Sequence, residues 1–171
     1  MIHLRRVCFV IGIFVALVPA IYGQTPQATA PEISLSVSGE VERPLKLTAV
    51  DLGKLPRRSV RAKDHGGNGS EYEGSPLVEV LKLAGVKFGE GLRGKNLALY
   101  LVAEASAGYR AVYALPELDP AYTDKVVMLV DKRDGKALDA KEGPLRLVAP
   151  DEKMRARWVG QVTGMVIKRA Q

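Results

Sequence analysis

The segment "VRAKDHGGNGSEYEGSPLVEVLKLAG", residues 60–85, sets the fold expected for this chain. It begins as a strand-like run, passes through three glycines and an asparagine, and returns through "SEYEG" as the second arm of a hairpin or irregular loop. Ser75 and Pro76 then provide the cap and the first position of a helix that ends at Gly85. Its apolar residues recur at helical spacing, at Leu77, Val80, Leu81 and Ala84. The segment therefore predicts a strand, a loop shaped to hold a ligand, and a helix in succession.

The flanking residues predict further short strands. Leu35 and Val37 alternate with serines, which is the period-two pattern of a half-buried strand. Thr48 caps a brief helix, and Asp51 lies at its third position, where a carboxylate is favourable. More strands are expected in "NLALYLVAE" and "YRAVYAL", which flank a turn, and in "KVVMLVD", "GPLRLVAP" and "WVGQVTGMVIKR". About seven short strands, few helices and no regular β-α-β rhythm indicate a single α+β domain over residues 33–171.

The N-terminal residues have the pattern of a signal peptide. A short basic start precedes an apolar run over residues 7–20. This run is shorter than the roughly 20 residues that span a membrane, so we expect cleavage and no stable membrane insertion, with an uncleaved anchor as the alternative. Cleavage is expected after Gly23, or after Ala20, which makes residues 1–23 the signal peptide and residues 24–32 a flexible lead. The protein is therefore predicted to be periplasmic or secreted.

The reactive residues and the charge exclude several classes of function. The single cysteine, Cys8, lies in the predicted signal peptide, and of the two histidines only His65 lies beyond it. The mature chain therefore cannot form a disulfide, supply a thiolate, or offer the cysteine and histidine spacing of a structural zinc site. Its 23 Lys+Arg and 19 Asp+Glu are interspersed and give a net charge of +4. No nucleic-acid-binding face is expected from that distribution.

The loop "DHGGNG" is the first candidate site. Its glycines either supply the positive φ of a tight connection or free backbone amides to line an anion site. The spacing matches neither a P-loop nor a dinucleotide-binding fingerprint. Asp64 and His65 form a candidate orienter and base, with a solvated loop histidine as the alternative.

Basic residues near the C terminus form the second candidate site. They are Arg146, Lys153, Arg155 and Arg157. Guanidinium groups bind phosphate and other oxyanions by bidentate contacts, so these side chains are candidates to converge on an anion. The alternative is an exposed loop in which Asp151 and Glu152 neutralise two of them. Trp158, which begins an apolar run, is expected in the core or at its rim.

The pattern "GYRAVY" adds one further candidate. Strand alternation puts Tyr109, Ala111 and Tyr113 on one face and Arg110 on the other. Sheet packing explains the tyrosines without a ligand. Arg110 is a candidate only where its face lines a pocket.

Several short patterns follow one another in a specific order: "G-x-V-x-x-P-L-x-L", "Y-x-G-x-P-L-x-x-x-L-x-x-A-G", "G-Y-R-A-V", "D-G-K-A-L", and "G-P-L-R-L-V-x-P" before "R-W-V". Each is weak alone. Together, over about residues 33–168, they resemble the oxidoreductase molybdopterin-binding domain, the sulfite-oxidase fold, in its small exported members. The resemblance implies a mixed sheet with short helices. It also implies that catalytic relatives hold molybdenum on a pterin dithiolene, with a cysteine sulfur of the protein as a further ligand.

The resemblance implies roles for individual residues. The ligand cysteine belongs to a "C-x-G-N"-like turn, whose first place is taken here by His65, while Gly67 and Asn68 match the rest. Arg146 matches a position near the cofactor or the substrate anion. Arg157 matches a basic position that helps to hold the pterin phosphate.

The departures from the family pattern cluster at this implied site. Arg155 stands where a small hydroxyl residue is expected, and Ala107 replaces an acid. Imidazole is a harder ligand than thiolate, so His65 does not reproduce the electronic role of the sulfur. The packing patterns persist while the metal-binding residue does not.

We therefore expect an exported protein with this fold that holds no metal or cofactor, performs no molybdenum redox catalysis, and binds a small anion or an exported protein partner. The first alternative is a molybdopterin-dependent oxidoreductase of the sulfite-oxidase type, with His65 or solvent at the metal. In that case Gly67, Asn68, Arg110, Arg146 and Arg157 bind the cofactor or an oxyanion. The second alternative is an assembly component that docks through a sheet edge or an apolar patch.

Overall fold

The computed structural model describes residues 33–63 and 67–171. The predicted signal peptide and lead, together with Asp64 and His65, lie outside the described residues. The strands are β1 (Ser34–Gly39), β2 (Leu45–Thr48), β3 (Arg58–Lys63), β4 (Gly69–Pro76), β5 (Leu99–Ala105), β6 (Arg110–Ala114), β7 (Met128–Arg133), β8 (Lys136–Ala137), β9 (Arg146–Val148) and β10 (Val162–Arg169). The α-helices are α1 (Ala49–Gly53) and α2 (Leu77–Leu83), and 3₁₀ helices span Gly89–Gly91, Gly94–Ala98, Leu115–Leu118 and Arg155–Arg157.

These strands form two five-stranded sheets. The first has the order β2-β1-β10-β5-β6, in which β1 and β10 are parallel and the other neighbours antiparallel. The second has the order β3-β4-β7-β8, with β9 also paired to β7, and is antiparallel throughout. The predicted single α+β domain with mixed pairing and short helices is confirmed, with more strands than the sequence indicated. Within the described residues, no helix is both long and apolar enough to cross a membrane.

The alternating pattern of β1 is confirmed. Leu35 and Val37 are fully buried, and the parallel partner of β1 brings Ile167 against Gly39. A Cβ on Gly39 would lie 2.1 Å from the carbonyl oxygen of Ile167, and its φ is +90°. This position therefore requires glycine for both space and conformation. The capping box of α1 is also present, because Thr48 and Asp51 exchange hydrogen bonds.

The hairpin of residues 60–85 is confirmed, but its helix begins later than predicted. β3 and β4 pair antiparallel from Arg58 opposite Gly74 to Lys63 opposite Gly69. Ser75 does not cap a helix, because it continues β4 and pairs with Leu129. α2 starts at Leu77 without a side-chain cap. The strand pairing with β7 outcompetes the local cap signal.

One apolar cluster contains residues of both sheets, so the sheets share a core. Trp158 belongs to it with 6% of its surface exposed, as predicted, and its ring meets the edge of Tyr72 with centroids 5.8 Å apart. Tyr113 is fully buried, whereas Tyr109 is 51% exposed. Their hydroxyls nevertheless donate to the adjacent carbonyl oxygens of Ala156 and Arg157, so both rings lie on the predicted shared face. Tyr109 is the more exposed of the two because it lies in the turn before β6 begins.

Candidate functional site

A cleft of about 520 Å³ lies between the end of the β3–β4 hairpin and residues 150–158. We call it the basic cleft, because four of its lining side chains are cationic and one is acidic. Its lining residues are Arg61, Ala62, Lys63, Gly69, Pro150, Glu152, Lys153, Arg155 and Trp158. The two ends of the glycine loop, Lys63 and Gly69, thus meet the predicted C-terminal basic cluster here.

Arg155 is the most firmly placed cation of the basic cleft. Its Nε donates to the carbonyl oxygen of Lys63 at 2.5 Å, and its guanidinium carbon lies 5.7 Å from the centre of the Trp158 ring. A guanidinium over an indole face gains about 0.5–1 kcal/mol at partly exposed sites. The remaining guanidinium nitrogens are the groups that would meet a ligand, because the two contacts fix the stem of the side chain.

The cations of the basic cleft are poorly neutralised. Among the residues that the structure describes, Arg61, Lys63, Lys153 and Arg155 form no ion pair. Arg61 has only a weak charge interaction with Asp134. The pKa of Asp134 is held below its usual value mainly by the hydrogen bond from the amide of Glu71, and Arg61 adds a small effect. The lining carboxylate, Glu152, is already bonded to Arg157. The cleft therefore presents a positive field to a ligand.

Arg157 lies beside the basic cleft but is saturated by protein groups. It donates to both carboxylate oxygens of Glu117 at 2.8 and 3.1 Å, to Glu152, and to the carbonyl oxygen of Val112 at 3.1 Å. Its guanidinium carbon lies 4.6 Å from the centre of the Tyr113 ring. The hydrogen bond to Glu117, more than that to Glu152, holds the pKa of Arg157 above its usual value. We call Arg157, Glu117 and Glu152 the closed cluster.

Arg146 is buried beneath the basic cleft. It is 5% exposed, donates through Nη1 to Glu142, and stacks with its guanidinium carbon 5.4 Å from the centre of the Trp158 ring. Within the part of the chain that the structure describes, its Nε has no hydrogen-bond partner, and neither has the hydroxyl of Tyr72. That hydroxyl nevertheless lies near Arg133. It is the main reason that the pKa of Arg133 lies above its usual value, and the charge of Glu142 is the second.

The other predicted residues lie apart from these arginines. Arg110 is exposed and pairs with Glu104 of the adjacent strand at 2.9 Å. Gly67 has a φ of +82° with open space around it, and Asn68 is exposed next to it. His65 lies outside the described residues. The structure therefore places Arg146 against the ring of Trp158 and Arg157 against that of Tyr113, and leaves Arg110 on a separate ion pair.

Sequence reasoning missed Arg61 and Lys63. A signal was present, because in the strand-like run "VRAK" the alternation places these two residues on one side and Val60 and Ala62 on the other. Ala62 is buried and Arg61 and Lys63 are exposed, as that alternation requires. The prediction concentrated on the glycines of the loop and left out the strand that leads into it.

A second groove does not compete as an anion site. It measures about 570 Å³ and runs along the end of β10 beside Gly39 and Tyr100. Its Arg169 is paired with Glu40 at 2.6 Å. Lys168 is then its one lining cation without an ion pair among the described residues, whereas the basic cleft has four.

The donor set does not fit a molybdenum centre of the kind that the resemblance implies. The sequence has no cysteine between residues 33 and 171, so the domain cannot supply a thiolate ligand. Within the described residues, no three histidine, cysteine, aspartate or glutamate side chains group as metal ligands. The arginine at the implied phosphate position, Arg157, is occupied by the two glutamates of the closed cluster.

Comparisons with known proteins agree with this fold. The family model described as oxidoreductase molybdopterin binding domain matches residues 22–171. The crystal structure of the sulfane dehydrogenase SoxCD from Paracoccus pantotrophus is similar, with a TM-score of 0.62 and 26% identity over 78% of this chain and 37% of that one. This chain thus spans little more than a third of the solved chain, and no curated protein matches it. The match over nearly the whole described domain shows that the chain belongs to the oxidoreductase molybdopterin-binding domain family.

Proposed function

We propose that this protein is an exported member of the family that binds a small anion in the basic cleft and performs no molybdenum redox chemistry. The observation that carries the proposal is the set of four cations around one cleft, none of which forms an ion pair with a described residue. Exposed cations attract anions through the focused field of a concave site. Arg155 supplies the directional donors, because its stem is held by Lys63 and Trp158.

The absence of sulfur supports the second half of the proposal. Family members that hold molybdenum are expected to use a protein thiolate, and the domain sequence contains none. A histidine at the corresponding place offers a neutral nitrogen ligand instead of a charged soft sulfur. The scaffold is retained while the ligand is lost, as expected when selection acts on binding and not on redox chemistry.

The second candidate function, a molybdopterin-dependent oxidoreductase, is favoured by one observation. The Nε of Arg146 is a buried donor without a partner, beside the ring of Trp158. A buried unsatisfied donor costs about 1–3 kcal/mol, and an oxygen of a bound cofactor would remove that cost. This candidate requires a metal centre without protein sulfur.

Calorimetric titration with inorganic phosphate and with sulfate, at low ionic strength, tests anion binding. We expect Arg155→Gln to lower the phosphate affinity about tenfold, because one charge-assisted contact contributes about 1.5–3 kcal/mol. Lys46→Gln is the matched control, since Lys46 lies on β2 and does not line the basic cleft. Equal affinities of the two variants and the unaltered protein, or no measurable binding, would contradict the proposal.

Metal analysis separates the two candidates. Protein purified from the periplasm of cells supplied with molybdenum is expected to contain neither molybdenum nor pterin in stoichiometric amount. Stoichiometric molybdenum that is lost in His65→Ala would support the oxidoreductase and contradict our proposal. Mass spectrometry of the same protein tests export, since a mature N terminus after Gly23 or Ala20 is expected.

A further inference from the structure

β3 forms one edge of the second sheet and also one wall of the basic cleft. The sheet order begins with β3, which pairs only with β4 among the described strands. Arg61, Ala62 and Lys63 of this strand line the cleft. A ligand in the cleft therefore meets a strand edge as well as side chains.

The backbone of Arg61 faces outward from this edge. Glu71, its cross-strand neighbour, donates its N–H to Asp134 at 2.9 Å and accepts at its carbonyl from the N–H of Asp134 at 2.8 Å. Both backbone groups of Glu71 thus point away from β3. In an antiparallel ladder, the pair Arg61 and Glu71 is then the non-hydrogen-bonded type, so both backbone groups of Arg61 also point away from β4.

The same alternation makes Ser59 and Lys63 outward-facing. The carbonyl oxygen of Lys63 confirms it, because it accepts from Arg155 across the cleft. The outward groups of Ser59 and Arg61 have no such partner among the described residues. An exposed strand with unpaired donors and acceptors is a template for another strand.

The β6 edge of the first sheet shows the contrasting case. There the N–H of Ala114 donates to Glu117 at 2.6 Å, and the carbonyl of Val112 accepts from Arg157 at 3.1 Å. Side chains of the closed cluster thus occupy that edge. Among the described residues, the β3 edge has no equivalent cover over Ser59 and Arg61, so it is the more open of these two edges.

The size of the basic cleft favours a ligand larger than one oxyanion. A water molecule occupies about 30 Å³, and a single oxyanion only a few times that, whereas the cleft measures about 520 Å³. Acidic side chains on one face of an extended strand recur about every 6.8 Å, two residues apart. The cations of β3, Arg61 and Lys63, have the same two-residue spacing.

We propose that the natural anion is carried on an extended acidic segment of another polypeptide, which adds to β3 as an extra strand and places its carboxylates in the basic cleft. This inference rests on the proposed anion binding. The positive edge selects against a second copy of β3, because a pairing that brings Arg61 opposite Arg61 or Lys63 would place like charges side by side. It selects for a segment of opposite charge, and main-chain hydrogen bonds supply further affinity.

Backbone-methylated peptides of equal charge test the strand addition. The probe is a fluorescein-labelled peptide, Thr-Glu-Val-Glu-Val-Glu-Thr, with blocked ends, whose binding to the protein is followed by anisotropy. One derivative carries N-methyl groups on the glutamate amides and the other on the valine amides. Only one alternate set faces β3, so we expect one derivative to lose about tenfold or more in affinity and the other to stay within about threefold.

Ser59→Pro is the matched change in the protein. It removes an outward N–H without altering charge or the ladder to β4, a position where an edge strand tolerates proline. We expect the affinity for the peptide to fall about fivefold, at unchanged phosphate affinity, since about one hydrogen bond is lost. Thermal unfolding checks that the variant is folded, and the methylated peptides decide the question if it is not.

The outcomes separate this inference from the proposed function. If both methylated peptides bind alike while phosphate still binds in an Arg155-dependent way, the strand addition is wrong and anion binding stands. If neither phosphate nor the unmodified peptide binds, both proposals are wrong. Selective loss with one methylated peptide, reproduced by Ser59→Pro, supports the extra strand.

Discussion

Arg155 and Arg157 stand two residues apart in the same 3₁₀ helix, yet they meet opposite surroundings. Arg155 faces the basic cleft, where it has a carbonyl oxygen and an indole ring as partners. Arg157 faces the closed cluster, where two carboxylates bind it. The difference comes from Glu117, 40 residues earlier in the chain, and not from the arginines themselves. A basic run in the sequence is thus divided by the fold into a binding part and a structural part.

Glu152 is the residue that belongs to both regions. It lines the basic cleft and also binds Arg157 in the closed cluster. Its charge therefore opposes an incoming anion while it stabilises the adjacent structure. The largest predicted effect comes from removing the Trp158 ring that supports the basic cleft, and smaller effects come from changing the charges of the two regions.

Replacing the ring of Trp158 is expected to have the largest effect. Trp158→Ala should destabilise the protein by about 3–5 kcal/mol, the usual cost of removing a buried large aromatic side chain. The ring is 6% exposed, donates from Nε1 to the carbonyl of Ala149 at 3.0 Å, and supports Arg146 and Arg155. Urea unfolding measures the change. Val50→Ala, at a side chain that is 69% exposed, is the control, and a Trp158 effect as small as that control would contradict the packing.

The two arginines themselves provide the next comparison. Arg157→Gln should lower the free energy of unfolding by about 1–2 kcal/mol, because it leaves two carboxylates without their partner. The expected loss is smaller than at a buried site, since the side chain is 36% exposed. Arg155→Gln should lower the free energy of unfolding by less, about 0.5–1 kcal/mol, because it loses the contact with the indole ring but leaves no carboxylate unpaired. Anion affinity should show the reverse order. Equal losses of stability in both variants would show that the division into two regions is wrong.

Much of the fold follows from local patterns in the sequence. Alternation identifies β1, the hairpin of β3 and β4 follows from the strand-like arms around the glycine loop, and helical spacing identifies α2. These signals are reliable because each depends on neighbours within one element. The start of α2 was placed too early, because the pairing of Ser75 with Leu129 is a non-local contact that overrides a local cap.

The site was less predictable, for the same physical reason. The segment "APDEKMRARW" shows its charges but not their partners. Glu152 neutralises a cation as one alternative anticipated, but Glu117 lies in another segment, 40 residues from Arg157, and their pairing depends on the fold. Long-range ion pairs of this kind leave no periodic signal. The open edge of β3 likewise depends on the sheet order, which only the structure shows.

Removing the shared carboxylate should move affinity and stability in opposite directions. Glu152→Gln is expected to raise phosphate affinity about threefold, because it removes a repulsive charge from the lining of the basic cleft. The binding free energy then becomes more favourable by about 0.7 kcal/mol. It should also weaken the closed cluster slightly, by about 0.5 kcal/mol. Calorimetry and urea unfolding on the same sample measure both. Glu117→Gln is the control, since Glu117 binds Arg157 without lining the basic cleft, and an equal gain in affinity there would contradict the assignment.

The smallest effect is expected at alkaline pH. Tyr109 and Tyr113 both donate to backbone carbonyls of the 150–158 segment, but only Tyr113 is fully buried. Its burial raises the pKa of Tyr113 above the usual value of about 10, and the charge of Glu152 adds a smaller effect. Above pH ~10 the unfolded chain loses this proton while the folded chain keeps it, so the stability falls as pH rises.

Tyr113→Phe removes that titration. Its unfolding free energy should differ from that of the unaltered protein by a constant amount below pH ~10, and the difference should shrink above it. Val50→Ala, at an exposed side chain that does not titrate, should keep a constant difference throughout. Urea unfolding between neutral and strongly alkaline pH measures both curves. If the Tyr113 and Val50 variants respond to pH alike, the buried phenol beneath Arg157 does not cause the alkaline loss of stability.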